Sequence, residues 1–317
     1  MNGGFWMSEF VIIPDASCDL TIDLRNRFGI ENYMRGVMYY PDGSQGYADL
    51  DWEAMTPEEY YTSMQGRKIL YKTATPPLGE ILDVFEPVLK SGRDILTITL
   101  SSGISSTYNF VQNVSNELME KYPGRKIICI DSLRYASATG LLVILGSYKK
   151  ASGATIEETA EYLESIKHHI HQMGSLDDLF FCVKTGRVNN FQALFGTLIG
   201  VHTLADFTSK GVPHVVGKTK GKPAAIKATI DYMEQTIENP EEQVIFVAHS
   251  NREKSAKILA EKIKQTFNPK EVIINPVGMS CGSSIGPGMC AAFYLGKPIS
   301  KNDDEQQNIM AQILKNR

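Results

Sequence analysis

Apolar residues follow two alternating rhythms through the first half of the chain. The runs FVIIP (10–14), DILTITL (94–100) and KIICI (126–130) are short and rich in β-branched residues, as buried strands are. Segments with helical spacing follow them: LTIDLRNRF (20–28), TPEEYYTSMQ (56–65), GEILDVFEPVLKSG (79–92), STYNFVQNVSNELMEKY (106–122), YASATGLLVILGSYKKAS (135–152) and TIEETAEYLESIKHHIHQ (155–172). Thr56 before Pro57 reads as an N-cap, Thr155 with Glu158 reads as a capping box, and Pro87 predicts a kink or break. PDG within MYYPDGSQGY (38–47) predicts a small hairpin. Strand alternating with helix gives a parallel, Rossmann-like sheet covered on both faces.

The second half is more mixed. LFFCVK (179–184) and PHVVGK (213–218) read as strands, with a turn at TSKG (208–211). AAIKATIDYMEQTIE (224–238) and EKSAKILAEKIKQTF (253–267) read as helices, and VIFVAH (244–249) and VIINPVG (272–278) as strands. The predicted class is α/β in two domains. An N-terminal extension (1–8) precedes a parallel α/β domain with a hairpin insert (9–173) and a mixed α/β domain (174–317). The junction is placed where MGSLDD (173–178) breaks the preceding helix.

Composition narrows the function. Of 317 residues, 43% are hydrophobic and 21% charged, with a net charge of −4. That excludes a disordered or collagen-like chain and disfavours a phosphate-gripping nucleic-acid binder. The five cysteines, Cys18, Cys129, Cys182, Cys281 and Cys290, are odd in number and form no CxxC pair, so neither a disulfide framework nor a zinc ribbon is expected. The apolar stretch in TGLLVILGSY (139–148) is too short for a bilayer, and MNGGFWMSEF has no signal-peptide pattern, although Met7 offers an internal start. The expectation is a cytoplasmic protein without metal or cofactor.

Four polar loops carry the candidate chemistry, because ligands of open parallel sheets bind beyond the strands' carboxyl ends. In LSSGISSTYNF (100–110), Ser101, Ser102, Ser105, Ser106 and Thr107 surround Gly103 at the start of a helix, a setting for a small anion or carboxylate. YKTATPPLGE (71–80) offers Thr73 and Thr75 beside a stiff Pro76-Pro77. In PDASCDL (14–20), Asp19 reads as the cap of the helix starting at Leu20 and Asp15 as a turn former; IDSLRYASATG (130–140) repeats the acid–Ser ending. Arg187 in KTGRVNNFQALFG (184–196), with Lys218 and Lys220 in KTKGKPAAI (218–226), is a candidate anion or partner contact. GMSCGSSIGPGMCAAF (278–293) adds Ser280, Ser283 and Ser284 among glycines that permit close backbone approach. No GxSxG, HExxH or P-loop occurs, and His168, His169 and His171 read as a surface cluster.

Taken together, these loops resemble the DegV family of bacterial fatty-acid-binding proteins. PDASCDL, YKTATPPLGE, LSSGISSTYNF, DSLRYASATG, TGRVNNFQALFGTLIG and SSIGPGMCAAF follow the family's motifs in order from about residue 9 to 300. The resemblance implies a palmitate-like fatty acid buried between two domains. Its carboxylate would be held by Thr73 and Ser102, with Ser101, Gly103 and Ser284 beside them. It also implies a binding protein without catalysis of its own, which presents the acyl group to a separate fatty acid kinase subunit. The tunnel-lining candidates are 139–148, 191–199 and 291–295. The sequence departs from the family at Ser284, where a His is expected, at Ala74-Thr75-Pro76-Pro77, and at Ser106 in place of a Gly. The rival readings are a hydrolase or transferase using the Ser-Ser loop on an acyl or phosphoryl group, and an interaction module whose Lys218, Lys220 and Lys222 dock an acidic partner.

Overall fold

The computed structural model describes residues 9–187, 200–302 and 304–315. The expected extension (1–8) and the tunnel candidate 191–199 lie outside them. Strands β1 (Phe10–Pro14), β5 (Asp94–Thr99) and β6 (Ile127–Asp131) form a parallel sheet in the order β1-β5-β6, with β5 in the centre as its β-branched run predicts. A small antiparallel sheet joins β2 (Val37–Tyr39), β3 (Gln45–Tyr47) and β4 (Lys72–Ala74), the first two being the expected hairpin. A six-stranded sheet has the order β11-β10-β12-β7-β8-β9. Its strands are β7 (Ile170–Leu176), β8 (Val201–Phe207), β9 (Pro213–Lys220), β10 (Val244–His249), β11 (Glu271–Pro276) and β12 (Met289–Leu295).

Between the two larger sheets lies α5 (Ser137–Ala151), packed against β1 and β5 on one side and β7, β10 and β12 on the other. Its run from Ser137 to Ile144 is buried throughout, as a helix that is apolar all round must be. Gly140 makes this approach possible, since a Cβ there would collide with the Cys18 carbonyl. One apolar core therefore runs from Ile12 and Leu96 through Leu142 to Phe246 and Phe293. Helices α3 (Leu78–Lys90) and α4 (Thr107–Lys121) close the far face of the parallel sheet over Phe85, Val111 and Leu118. On the far face of the six-stranded sheet, α8 (Lys222–Thr236), α9 (Glu253–Phe267) and α11 (Asp304–Lys315) bury Tyr232, Leu259 and Met310. Both capping residues behave as their sequences predict. Thr56 opens α2 (Pro57–Ser63) and Thr155 opens α6 (Ile156–Ile166), each with a complete capping box.

Several expectations are corrected. LFFCVK is not a strand but the short helix α7 (Phe180–Lys184), where Phe180 N–H donates to Asp178 Oδ1 at 2.9 Å and Phe181 is buried. Helix α6 ends at Ile166, and 170–176, expected to finish the helix and then break it, is strand β7. Pairing with β12 on one side and β8 on the other overrides the local helical spacing. The chain thus reaches the six-stranded sheet just past Lys167–His169, ahead of the expected junction. His171 is therefore not at the surface. It is buried, with Nδ1 2.8 Å from Asp206 Oδ2 and Nε2 3.0 Å from the Lys297 carbonyl. Pro87 lies inside an unbroken α3. The glycine-rich 278–293 is helix α10 (Met279–Ile285) leading into β12, an interior strand, although its composition signals loop. Strand β8 and helix α11 were not foreseen; β8 lies between β7 and β9, and α11 packs on α8 and β9.

Asp19 does not cap α1 (Ile22–Phe28), whose N-cap is Thr21. Its backbone is left-handed, at φ 56°, and its buried carboxylate accepts from Gly278 N–H at 2.8 Å and Ser137 Oγ at 3.0 Å. It therefore ties the β1 loop to the starts of α5 and α10. Burial is the main cause that raises its carboxyl to about 7. The folded protein then holds a proton that the unfolded chain releases near the ordinary carboxyl value of about 4, so this group's contribution to stability falls as pH rises from about 4 to about 7. Chemical denaturation across pH 5–8 should show this slope, up to about 1.4 kcal/mol per pH unit, and Asp19→Asn should flatten it. An unchanged slope in the variant would refute the assignment.

A candidate site of two adjoining chambers

The loops that follow β1, β5 and β6 meet on one rim, and their acids hold them in shape. Asp15 accepts from Ser17 N–H at 2.8 Å and Leu100 N–H at 2.9 Å. Asp131 accepts from the N–H groups of Ser102 and Leu133, both at 3.1 Å. Both are loop organisers, as short acid–Ser turns predict.

Ser101, Ser102 and Gly103 turn out to build the rim rather than face the cavity beside it. Ser101 is fully buried; its Oγ donates to the Gly211 carbonyl at 2.7 Å and accepts from Gly103 N–H at 3.1 Å. Gly103 lies against the backbone of Lys210 and Gly211, where a Cβ would come within 2.6 Å of a carbonyl oxygen. The Ser102 amide is committed to Asp131. Ser101 and Gly103 thus fasten the β5–α4 loop to the β8–β9 turn, a contact invisible to a reading of one loop at a time.

Beside the rim is a polar cavity of about 370 Å³. Thr73 to Pro76 form one wall and Ser105 to Thr107 another; Ser280, Ser284, Tyr135, Arg187 and the hydrogen-bonded acid Asp15 also line it. Thr73 is a strand residue opposite Met38, with Oγ1 3.4 Å from Ser283 Oγ. Ser105 Oγ accepts from Thr107 N–H at 3.2 Å, which satisfies one amide at the start of α4. Ser284 Oγ and the Tyr135 hydroxyl are 2.6 Å apart, and Tyr135 also donates to the Cys281 carbonyl at 3.2 Å. Arg187 is half-buried, and its guanidinium donates to the Thr185 carbonyl at 2.5 Å.

An apolar chamber of about 90 Å³ adjoins this cavity and shares Ile104, Tyr135, Arg187 and Ser284 with it. Its floor is the inner face of the six-stranded sheet. Cross-strand register sets Ala291 beside Gly174 and Gly174 beside Ala205, so three small residues lie in one row across β12, β7 and β8. Larger pairs flank the row, Met289 with Leu176 on one side and Phe293 with Gln172 on the other. Because side chains alternate along a strand, these residues all face the same way. A low row between two high rows is a trough. Cys182 lines it as a thiol, since burial pushes its ionisation up to about 12.

Of the residues expected at the site, Thr73, Ser284 and Arg187 line the cavities. Lys218 and Lys220 do not. They are exposed on edge strand β9, where lysines protect an open sheet edge. The expected lining segment 291–295 contributes Ala291 and Phe293. Tyr135, Gln172 and Ile104 were not singled out. Tyr135 lies within a quoted loop motif, whereas Gln172 needed the strand assignment. Among the described residues no cluster fit for a metal occurs. No described histidine lines either cavity, and the acids that do, Asp15 and Asp206, are held by hydrogen bonds within the protein. Ser101→Ala should cost about 1 kcal/mol through the lost bond to Gly211, lowering the melting temperature by about 2–4 °C. A thermal melt checks this, and no change would show that the contact is not formed.

A family model described as an uncharacterised protein of the DegV family matches residues 9–297. A DegV domain-containing protein of Clostridium perfringens is 31% identical over 290 residues, covering 92% of this chain and 98% of its own. A DegV lipid-binding protein from Thermotoga maritima superposes with a TM-score of 0.79 at 20% identity, over 92% of this chain and all of its own. A DegV family protein from Eubacterium eligens, solved loaded with heptadecanoic acid, gives 0.79 at 19% identity over 91% of this chain and 100% of that one. The fatty acid kinase B3 protein of Streptococcus pneumoniae, loaded with linoleic acid, gives 0.77 at 21% identity over 92% and 100%. At these identities the superpositions establish the shared fold. No helix among the described residues is long and apolar enough to cross a membrane.

Proposed function

This chain belongs to the DegV family, and from that premise we propose that it binds a long-chain fatty acid, with the carboxylate in the polar cavity and the start of the tail in the apolar chamber. The observation that carries the reading is the neck: a hydroxyl-lined cavity and an apolar trough meet at Tyr135 and Ser284. An amphiphile needs that juxtaposition. Thr73 donates to the carboxylate, Ser284 turns its single O–H from Tyr135 and the Cys281 carbonyl toward it, Arg187 supplies a positive charge at the neck, and Ser101, Ser102 and Gly103 hold the loop that frames it. Charge-assisted hydrogen bonds of this kind are the strong ones. The tail supplies most of the affinity, at about 0.8 kcal/mol per buried methylene before ordering and association costs.

The protein acts in this reading as a cytoplasmic carrier without a reaction of its own. The ligand's carboxylate end lies in the more polar chamber, the arrangement that suits presentation to a separate ATP-using kinase. The solved relatives that carry heptadecanoic and linoleic acids, one of them a fatty acid kinase B protein, support this reading.

Denaturing the purified protein and analysing the organic extract by mass spectrometry should release a long-chain acid. No released acid, together with no uptake of added palmitate, would defeat the reading. Thr73→Ala combined with Ser284→Ala should weaken palmitate binding by about tenfold or more in a fluorescent fatty-acid displacement assay, from the loss of two hydrogen bonds to a charged group. Unchanged affinity in a folded double variant would remove these residues from the head-group site.

A further inference from the structure

Gln172 lines the apolar chamber and, like Arg187 at the neck, keeps N–H donors without a partner among the described residues. It lies on β7 in the row with Phe293 and is 7% exposed. Its Oε1 accepts from Tyr135 N–H at 2.8 Å. Only the oxygen of an amide can accept, so this bond fixes the orientation of the side chain. The Nε2 group, with two N–H donors, is thereby turned away from Tyr135, and it has no hydrogen-bond partner among the described residues. Asp206 also lines the chamber, but it is fully engaged. It accepts from Gln172 N–H, Phe207 N–H and Gln306 Nε2, and it pairs with His171. Phe293, its cross-strand neighbour, and Gly174 and Ala291 in the next row offer no side-chain acceptor.

The amide lines the chamber, so a bound tail covers it; a donor covered without an acceptor is costly, and a plain hydrocarbon tail cannot supply one. A hydroxyl or carbonyl oxygen on the ligand can. The position of that oxygen follows from Tyr135, which lines both chambers and whose backbone Gln172 holds. The free amide therefore sits just inside the neck, a few carbons from the carboxylate. We propose that Gln172 is a specificity residue that selects acyl chains bearing a hydroxyl or oxo oxygen near the carboxyl end. The inference rests on the fatty-acid reading and adds a substrate class to it.

The test is competition binding with delipidated full-length protein, using palmitate and its 2-hydroxy, 3-hydroxy and 16-hydroxy derivatives. A 2- or 3-hydroxy acid should bind about tenfold more tightly than palmitate, and 16-hydroxypalmitate should not. Gln172→Met keeps the length and removes the donors, so the ratio should fall to about one. If the variant does not fold, the wild-type series alone decides. Palmitate binding as tightly as every hydroxy isomer would overturn this inference and leave the fatty-acid reading standing. Failure of all four acids to bind would overturn both.

Discussion

Helix α5 must exclude water on every side, and most of the architecture follows from that requirement. Its buried run from Ser137 to Ile144 cannot be covered by one sheet. The parallel sheet takes one side and the six-stranded sheet the other. The two halves of the chain therefore share a core. Gly140 permits the close contact with the β1 loop, and Asp19 secures the same corner by binding Ser137 and the start of α10.

Because the halves are held face to face, the carboxyl ends of β1, β5 and β6 point toward the inner face of the second sheet. The cleft between them has two characters. On the rim side, serines and threonines at loop and helix ends leave hydroxyls open to the polar cavity. On the sheet side, alternation and register place Ala291, Gly174 and Ala205 in one low row. Neither feature requires a reactive group. Together they set a polar and an apolar compartment side by side.

The polar groups near the cleft divide by how they are satisfied. Asp15, Asp131, Ser101 and Asp206 have their partners within the protein and serve as scaffold. Thr73, Ser284, Tyr135, Arg187 and Gln172 face the chambers, the hydroxyls in contacts a turned O–H can exchange and Arg187 and Gln172 with N–H donors that no described residue accepts. That distinction separates structural from ligand-facing hydroxyls more sharply than residue type does. Ser101 and Ser105 are alike in sequence and opposite in role.

The sequence alone determined the local elements wherever period and caps agree. The strands β1, β5, β6, β10 and β11, both capping boxes, helices α4, α5, α8 and α9 and the 38–47 hairpin are all legible in it. So was the motif order that marks the family, and Thr73, Ser284 and Arg187, singled out on other grounds, line the polar cavity. Tertiary structure decided the rest, for identifiable reasons. Strand β7 runs against helical spacing because two neighbours pair with it, and the glycine-rich 278–293 forms a buried helix and an interior strand because packing outweighs weak propensity. Ser101 and Gly103 became fasteners because the β8–β9 turn, over a hundred residues away, reaches them. The trough exists only through register, which brings Ala291, Gly174 and Ala205 side by side although nothing in their local sequences marks them as neighbours. Local chemistry fixes what each segment prefers, whereas long-range pairing fixes which side chains share a wall.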